Sequence, residues 1–164
     1  MSAHEDQLRP QRRGRSIAMS EREVDGFMRT ERTCRVATVG ADGTPHVMPL
    51  WFVWHDRSVW LSSIVKSQRW ADLTRDPHVA VVVDAGTEFH ELRGVEVRGE
   101  VEQVGDVPRT SRIDPELVEP ERLMASKYSR SGEFVPDGRH AWLRVRPSKL
   151  VSWDFRKSAA PRTS

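Results

Sequence analysis

The chain has one cysteine, Cys34, among its 164 residues, so it cannot form an internal disulfide. It contains no apolar run close to the roughly 18 residues that a membrane-spanning helix needs. The first 18 residues lack the apolar core of a secretory signal peptide. These absences predict a single domain that works in the cytoplasm, a reducing compartment, without a membrane partner.

The sequence also lacks the common signatures of self-contained catalytic machinery. Its six histidines stand singly, without HExxH spacing and without a cysteine pair, so no metal centre is expected. There is no GxSxG elbow for Ser-His-Asp chemistry, and no GxGxxG or GxxxxGK[ST] loop. No nucleophile or acid/base set stands out, an absence that an organic cofactor holding the reactive atom would explain.

Positive charge is concentrated at the start of the chain, although the formal net charge is only +2. Four arginines lie between residues 9 and 15, among proline, glutamine and glycine. A basic tail of this kind can bind nucleic acid, but a short arginine-rich terminus is more often disordered. We therefore predict disordered tails over residues 1–18 and 158–164, one folded domain over residues 19–157, and no nucleic-acid partner.

Six segments have the alternating or fully apolar composition of β-strands, bounded by turns rich in glycine, proline or aspartate. The predicted strands cover residues 35–40, 46–54, 59–62, 78–84, 94–104 and 141–153. Helices are predicted over residues 21–30, 67–75 and 121–128. Because these helices are inserted between strands rather than alternating with them, the sequence predicts a mainly β protein: a six-stranded antiparallel barrel with peripheral helices.

Three of these elements carry a more specific expectation. Ser20 and Glu23 form a capping-box pattern that predicts where the first helix begins. Pro49 cannot donate to a β-ladder, so it predicts a sheet edge, a bulge, or backbone that faces something other than a neighbouring strand. The run from Val79 to Val83 is wholly apolar and predicts a strand buried on both faces.

A basic, hydroxyl-rich junction joins the third predicted strand to the second predicted helix. A helix N-terminus presents unpaired N–H groups and a partial positive charge, which together attract anions. Lys66 and Arg69 lie three residues apart, a spacing that places both cations on one side of the first helical turn. With the hydroxyls of Ser62, Ser63 and Ser67, they are suited to hold a phosphate. A solvated basic turn is an equally good interpretation of this spacing alone.

The last predicted strand ends in an aromatic residue followed by cations. Trp153 is followed by Arg156 and Lys157, an arrangement that suits a planar, anionic ligand. A tryptophan that packs one end of a barrel beside solvated charges explains the same pattern equally well.

Several motifs in fixed order resemble the flavin- and deazaflavin-binding split-barrel superfamily. This superfamily includes the pyridoxamine 5'-phosphate oxidases and, with the closer resemblance, the actinobacterial reductases that use coenzyme F-420. The motifs span residues 36–45, 59–62, 66–69, 73–79, 92–95 and 151–157. The resemblance covers residues 20–157 and implies a homodimer of FMN-binding-type split β-barrels, with two cofactors in clefts at the dimer interface.

The resemblance also implies roles for individual residues. The cofactor phosphate would be held by Ser62, Ser63, Lys66, Ser67, Gln68 and Arg69. The edge of the ring system would lie along the second strand at Met48, Pro49, Leu50 and Trp51. Trp153 and Arg156 of the partner subunit would reach the same cofactor, and Lys157 is a further candidate. Family members usually have lysine at the position of Arg69, which marks a departure from the pattern.

The function that this resemblance implies is hydride transfer from reduced coenzyme F-420 to an activated unsaturated small molecule. Lys127, Arg130 and Arg139 are candidates to bind the acidic tail of F-420. FMN is the alternative cofactor, and a non-catalytic flavin-, deazaflavin- or haem-binding protein is the alternative function. The C-terminal arginine set that binds substrate phosphate in pyridoxamine 5'-phosphate oxidases has no counterpart here, so that substrate is not expected.

Overall fold

The computed structural model describes residues 8–158, which form one antiparallel sheet of seven strands with three helices packed against it. The strands are β1 (Thr33–Val39), β2 (Pro45–Trp51), β3 (Val53–His55), β4 (Ser58–Ile64), β5 (His78–Ala85), β6 (Arg93–Val104) and β7 (His140–Asp154). The helices are α1 (Glu21–Thr30), α2 (Gln68–Arg75) and α3 (Val118–Tyr128). Within the described residues, no helix combines the length and the apolar character that crossing a membrane requires.

The order of strands shows that the sheet is curled. The order is β2-β1-β5-β6-β7-β4-β3, so its two edge strands are consecutive in the chain and are separated only by Phe52. The edges must therefore lie side by side, as in a barrel. The mainly β, antiparallel architecture expected from the sequence is confirmed.

The number of strands differs from the prediction of six. The predicted strand 46–54 is divided at Phe52, because the chain there leaves its ladder with β1 and joins β4. The Phe52 N–H and carbonyl groups bond instead to the hydroxyl of Tyr128 on α3, at 3.2 and 2.7 Å. A side chain distant in sequence thus ends one strand and starts the next.

Two expectations about individual strands have different outcomes. Pro49 lies on β2, an edge strand, which confirms the first of the three alternatives for this proline. In β5, by contrast, Val79, Val81 and Val83 are buried whereas Ala80 and Val82 are only half-buried. The prediction that both faces of this strand are buried was wrong for residues 8–158, because no part of that range covers the outer face.

The longest pairing in the sheet, between β6 and β7, contains a bulge. The register shifts where Arg98 and Gly99 pair with Lys149 and Pro147, so that Ser148 is the extra residue. A Cβ atom at Gly99 would lie 1.9 Å from the carbonyl oxygen of Arg146, so only glycine allows this close approach. The irregularity at Pro147 and Ser148 is therefore a bulge within one continuous strand.

Two apolar clusters stabilise the sheet. The larger lies inside the curl, where Val36, Leu61 and Val97 pack against α1. The smaller lies outside the curl, where Trp60 and Trp142 pack against α3. Helix α1 begins as predicted, since the Ser20 hydroxyl accepts from the Glu23 N–H and the Glu23 carboxylate accepts from the Ser20 N–H.

Residues 8–18 lie along β7, where the sequence predicted a disordered tail. The Arg9 N–H donates to the Ser148 carbonyl at 3.1 Å. The side-chain amide of Gln11 pairs with both backbone groups of Ser152, at 3.0 Å each. The remainder of the two predicted tails, residues 1–7 and 159–164, lies outside the described residues.

Candidate functional site

The turn between β4 and α2 contains the predicted phosphate-binding residues. Ser67 caps α2, and its hydroxyl accepts from the Trp70 N–H at 3.2 Å. Lys66 precedes this cap and is exposed, whereas Arg69 lies inside the first helical turn and is buried. The prediction that both cations share one side of the helix was wrong, because the helix begins only after Ser67.

Arg69 is a buried cation held by a neutral partner. Its side chain is 6% exposed, and its Nε and Nη2 atoms donate to the Ser63 hydroxyl at 3.2 and 3.0 Å. Within the described part of the chain, no carboxylate pairs with Arg69, and burial lowers the pKa of its guanidinium. A buried charge without a counter-ion is costly, and a bound anion would relieve that cost.

Gln68 begins a chain of hydrogen bonds that joins the start of α2 to β1. Its amide donates to the Asp72 carboxylate at 2.8 Å, and Asp72 is fully buried. The other carboxylate oxygen accepts from the Thr38 hydroxyl at 2.9 Å. These bonds, with the bond from Gln68 as the largest contribution, lower the pKa of Asp72. They fix the orientation of the helical turn that carries Arg69.

The two predicted serines of β4 face opposite sides of the sheet. Ser63 points inward to Arg69, whereas Ser62 lines a cavity of about 290 Å³ beside α3. Trp51 lines the same cavity and stacks on Tyr128, with ring centroids 4.6 Å apart. Five of the other wall residues are apolar, Met124, Ala125, Phe134, Val135 and Pro136, and five are polar, Arg109, Ser129, Glu133, Asp137 and His140. The cavity therefore adjoins two residues expected beside the cofactor.

Strand β2, the predicted edge of the ring site, is largely open. Met48, Pro49 and Trp51 are exposed, and Trp51 is exposed by 57%. Leu50 is half-buried and packs against the interior cluster. The strand therefore presents a free backbone edge and an apolar outer surface at the position where the resemblance places the ring.

A second group of cations lies near Phe52, the residue between β2 and β3. The Lys127 ammonium lies 4.3 Å from the centre of the Phe52 ring and 3.4 Å from the Phe52 carbonyl oxygen. Burial, together with the nearby charge of Arg32, lowers the pKa of Lys127 to about 8. Of the three predicted tail-binding cations, Lys127 is thus desolvated, and Arg130 and Arg139 are exposed.

The C-terminal residues lie far from the turn of Arg69. Trp153 packs flat on its neighbour Gly94, where a Cβ would lie 2.4 Å from the indole ring. Arg156 is paired with Asp154 at 2.8 and 2.7 Å, and Lys157 with Glu23 at 2.7 Å. Trp153 is eleven residues along β7 from the residue opposite Ser62, roughly 35 Å of strand. One chain alone does not bring the two groups together.

The wall of the cavity also carries a histidine–aspartate pair. His140 Nδ1 lies 2.6 Å from the Asp137 carboxylate. The other Asp137 oxygen accepts from the N–H groups of Arg139 and His140 at 2.9 and 3.0 Å. The bond from Arg139 is the largest of the contributions that lower the pKa of Asp137 to about 2. This carboxylate is therefore ionised at neutral pH and orients the imidazole.

Sequence reasoning missed this pair because it considered histidines only as metal ligands or as partners of a nucleophile. A signal is present in the sequence, since Pro136, Asp137 and Gly138 form a turn directly before the strand that starts at His140. Among residues 8–158, no three histidine, cysteine or acidic side chains lie close enough together to hold a metal ion.

Solved structures with the same fold come from proteins with different descriptions. A conserved hypothetical protein from Mycobacterium tuberculosis is 30% identical, with a TM-score of 0.75 over 95% of this chain and 96% of its own. A protein described as F420 reductase is 25% identical, with a TM-score of 0.59 over 77% and 94% of the two chains.

The heme storage protein HutZ from Vibrio cholerae is 16% identical, with a TM-score of 0.66 over 80% and 94% of the two chains. At this identity the likeness concerns the fold alone. No curated protein matches the chain. The family described as pyridoxamine 5'-phosphate oxidase matches residues 20–154, most of the sequence. The chain therefore belongs to the pyridoxamine 5'-phosphate oxidase-like superfamily of split β-barrels, which bind flavins and deazaflavins.

Proposed function

We propose that the protein is a reductase that uses reduced coenzyme F-420 to transfer hydride to an activated unsaturated small molecule. The observation that carries this proposal is Arg69, a buried cation whose partner is a hydroxyl rather than a carboxylate. Such a group suits the phosphate of a cofactor. The likeness to a protein described as F420 reductase, at 25% identity, supports the choice of deazaflavin.

The cofactor supplies the hydride, and the protein supplies binding and orientation. Arg69 and the capped N-terminus of α2 hold the phosphate, with Ser63 orienting the guanidinium. The open edge of β2 would lie along the ring, and Trp51, which is on this strand and lines the cavity, would place the ring beside the cavity. The cavity, at about 290 Å³, has room for a small substrate, with apolar residues to contact its carbon skeleton and polar residues to orient it.

We also propose that two chains form a homodimer in which each site is shared. Trp153 and Arg156 lie too far from Arg69 to join it within one chain, so a second copy must supply them. The outer face of β2, β1 and β5 suits such an interface, because Val47 is 60% exposed and Ala80 and Val82 are only half-buried. In this role the Nε and Nη2 atoms of Arg156 remain bonded to Asp154, and its Nη1 atom is available to the cofactor.

FMN is the alternative cofactor, because it carries a phosphate that suits the same residues. A non-catalytic binder of flavin, deazaflavin or haem is the alternative function. Binding of FMN or of a deazaflavin without turnover would use the same turn at Arg69, so these alternatives differ from the main proposal in ring identity or in turnover. Haem carries no phosphate, so a haem-binding protein would not need this phosphate site.

Titration of the purified protein with F-420, FMN and haemin, followed by fluorescence or absorbance, tests the choice of cofactor. We expect saturable binding of F-420, and oxidation of its reduced form when enones or quinones are added. If the protein binds FMN more tightly than F-420, FMN takes the place of F-420 in the proposal. Tight binding without any turnover across the substrate panel would contradict the reductase and favour a binding protein.

A further inference from the structure

We propose that His140, oriented by Asp137, donates the proton that completes the reduction of an α,β-unsaturated carbonyl compound bound in the cavity. This inference rests on the proposed function, which requires a proton as well as a hydride. His140 lines this cavity, and its side chain is 34% exposed.

The contacts of His140 determine which nitrogen faces the substrate. Nδ1 is bound to Asp137 at 2.6 Å, and that carboxylate is already fixed by two backbone N–H groups. An ionised carboxylate can only accept, so the Nδ1 proton remains on the ring. Nε2 is then the nitrogen left for the substrate, and it carries a proton only in the imidazolium form. The acid is therefore the imidazolium, with Asp137 as its positioning residue.

The sheet register brings this acid close to the predicted hydride source. His140 pairs with Ile64, and Trp142 pairs with Ser62, in the ladder between β4 and β7. Ser62 and His140 are therefore diagonal neighbours on one face, with Cα atoms roughly 7–8 Å apart. Ser62 and Trp51 are the cavity residues expected beside the ring, so a molecule filling the cavity can meet both the ring and the imidazole.

The reaction balances with these two donors. The hydride brings two electrons and forms a C–H bond at the β-carbon, and the π electrons of the C=C bond move toward the α-carbon and the carbonyl oxygen. The Nε2–H bond of His140 breaks, its electron pair stays on nitrogen, and the proton forms the second C–H bond at the α-carbon. The substrate gains two electrons and the cofactor loses two. Water then returns the proton to His140.

Charged and titratable groups from several elements surround His140. Asp137 faces it from its own loop, and Glu133 lies on the same cavity wall. Arg109 lies in the segment before α3, and its backbone N–H donates to the His140 carbonyl at 2.8 Å. The Arg109 guanidinium forms an ion pair with Glu121, with 2.6 Å between the nitrogen and oxygen atoms. Tyr128 completes this side, and burial raises its pKa to about 12, so it remains neutral. Arg139, the residue before His140, is exposed to solvent.

The test compares His140→Gln and Asp137→Asn with the control His55→Gln, which changes a half-buried histidine of β3 that does not line the cavity. Binding of F-420, measured by fluorescence, should be the same in all four proteins. In single-turnover reactions with an enone, the wild-type rate should fall tenfold per pH unit on an alkaline limb. His140→Gln should remove this limb and slow the reaction about 100-fold. The control should behave as wild type.

A second readout does not depend on turnover. The ¹⁵N NMR signals of the His140 ring should show the proton on Nδ1 in the neutral form, and Asp137→Asn should shift that tautomer balance. Full rate and an unchanged alkaline limb in His140→Gln, or a proton on Nε2 in the neutral ring, would overturn the inference while leaving the reductase in place. Absence of any hydride transfer by the wild type would overturn the proposed function, and this inference with it.

Discussion

At the scale of single residues, burial separates side chains that look equivalent in the sequence. Arg69 is buried and Lys66 is exposed, although they lie three residues apart in the same basic turn. Ser63 and Ser62 likewise face opposite sides of β4. The sequence could predict that this turn collects cations and hydroxyls. It could not predict which of them are desolvated, because that depends on where α2 begins and what packs above it.

The contrast between the two cations leads to a paired prediction. Arg69→Met should weaken binding of the cofactor, measured by fluorescence titration, tenfold to hundredfold, as expected for loss of a charge-assisted hydrogen bond worth about 1.5–3 kcal/mol. The free energy of unfolding should change by less than about 1 kcal/mol, since relief of a buried charge offsets the lost bond to Ser63. Lys66→Met is the matched control, and an equal loss of binding there would contradict the role of burial.

Lys127 predicts a dependence of stability on pH. Its pKa is lowered from 10.5 to about 8, so between these values the unfolded chain binds more protons than the folded one. The free energy of unfolding contributed by this group must therefore rise with pH across that interval, by about 1–2 kcal/mol after allowance for partial exposure.

Urea unfolding of wild type and Lys127→Met, at pH 7 to 10.5, measures this contribution as the difference between the two proteins. The comparison is needed because Cys34 and Tyr128 both have a pKa raised to about 12 in the folded protein. Each of them therefore lowers the free energy of unfolding as the pH rises. Both groups are present in both proteins, so the difference isolates the contribution of Lys127 together with its electrostatic coupling to Cys34. A difference that is flat with pH would show that Lys127 is solvated in the folded protein.

At the scale of secondary structure, local patterns predicted local features well. Helix α1 has the residues 21–30 that the capping box and the apolar spacing indicated. The break between β2 and β3 was not predictable in the same way, since it depends on a hydroxyl 76 residues away in the chain. The register of the bulge at Gly99 likewise depends on a neighbouring strand. Sequence patterns report periodicity within an element, and they say little about its partners.

Two glycine substitutions test this distinction between local and tertiary constraints. Gly99→Ala should lower the free energy of unfolding by about 2–3 kcal/mol, because its Cβ would meet the Arg146 carbonyl across the sheet. Gly26→Ala, on an open face of α1, should raise it by about 0.5–1 kcal/mol. Chemical unfolding of both variants measures whether each change lowers or raises the free energy of unfolding. An unchanged free energy of unfolding for Gly99→Ala would contradict the bulge geometry.

At the scale of the whole molecule, the candidate site is distributed over distant parts of the fold. The turn at Arg69 lies near the start of β7, and Trp153 lies at its other end. The order of the motifs in the sequence predicted the fold and the set of residues. It could not indicate how far apart these residues lie in one chain, because that distance depends on the length and curl of β7.

Mixing two inactive variants tests the shared site. If Arg69 and Trp153 of the partner subunit form one site, the variants Arg69→Met and Trp153→Ala should each bind cofactor weakly as homodimers. Subunit exchange should then restore about a quarter of the sites, because each mixed dimer has one intact and one doubly altered site. Recovery is measured by cofactor titration after mixing. No recovery, with exchange verified by mass spectrometry, would contradict the shared site.

Phe52 is the single covalent link between the two edges of the sheet, and no ladder includes it. The turns Arg15–Ile17 and Phe155–Ser158 touch each other on another part of the surface. A circularly permuted chain that starts at Phe52 and ends at Trp51, with a short linker joining residue 158 to residue 15, would keep every pairing between the seven strands. Its new termini would open directly beside the cavity, where a fused reporter could sense occupancy.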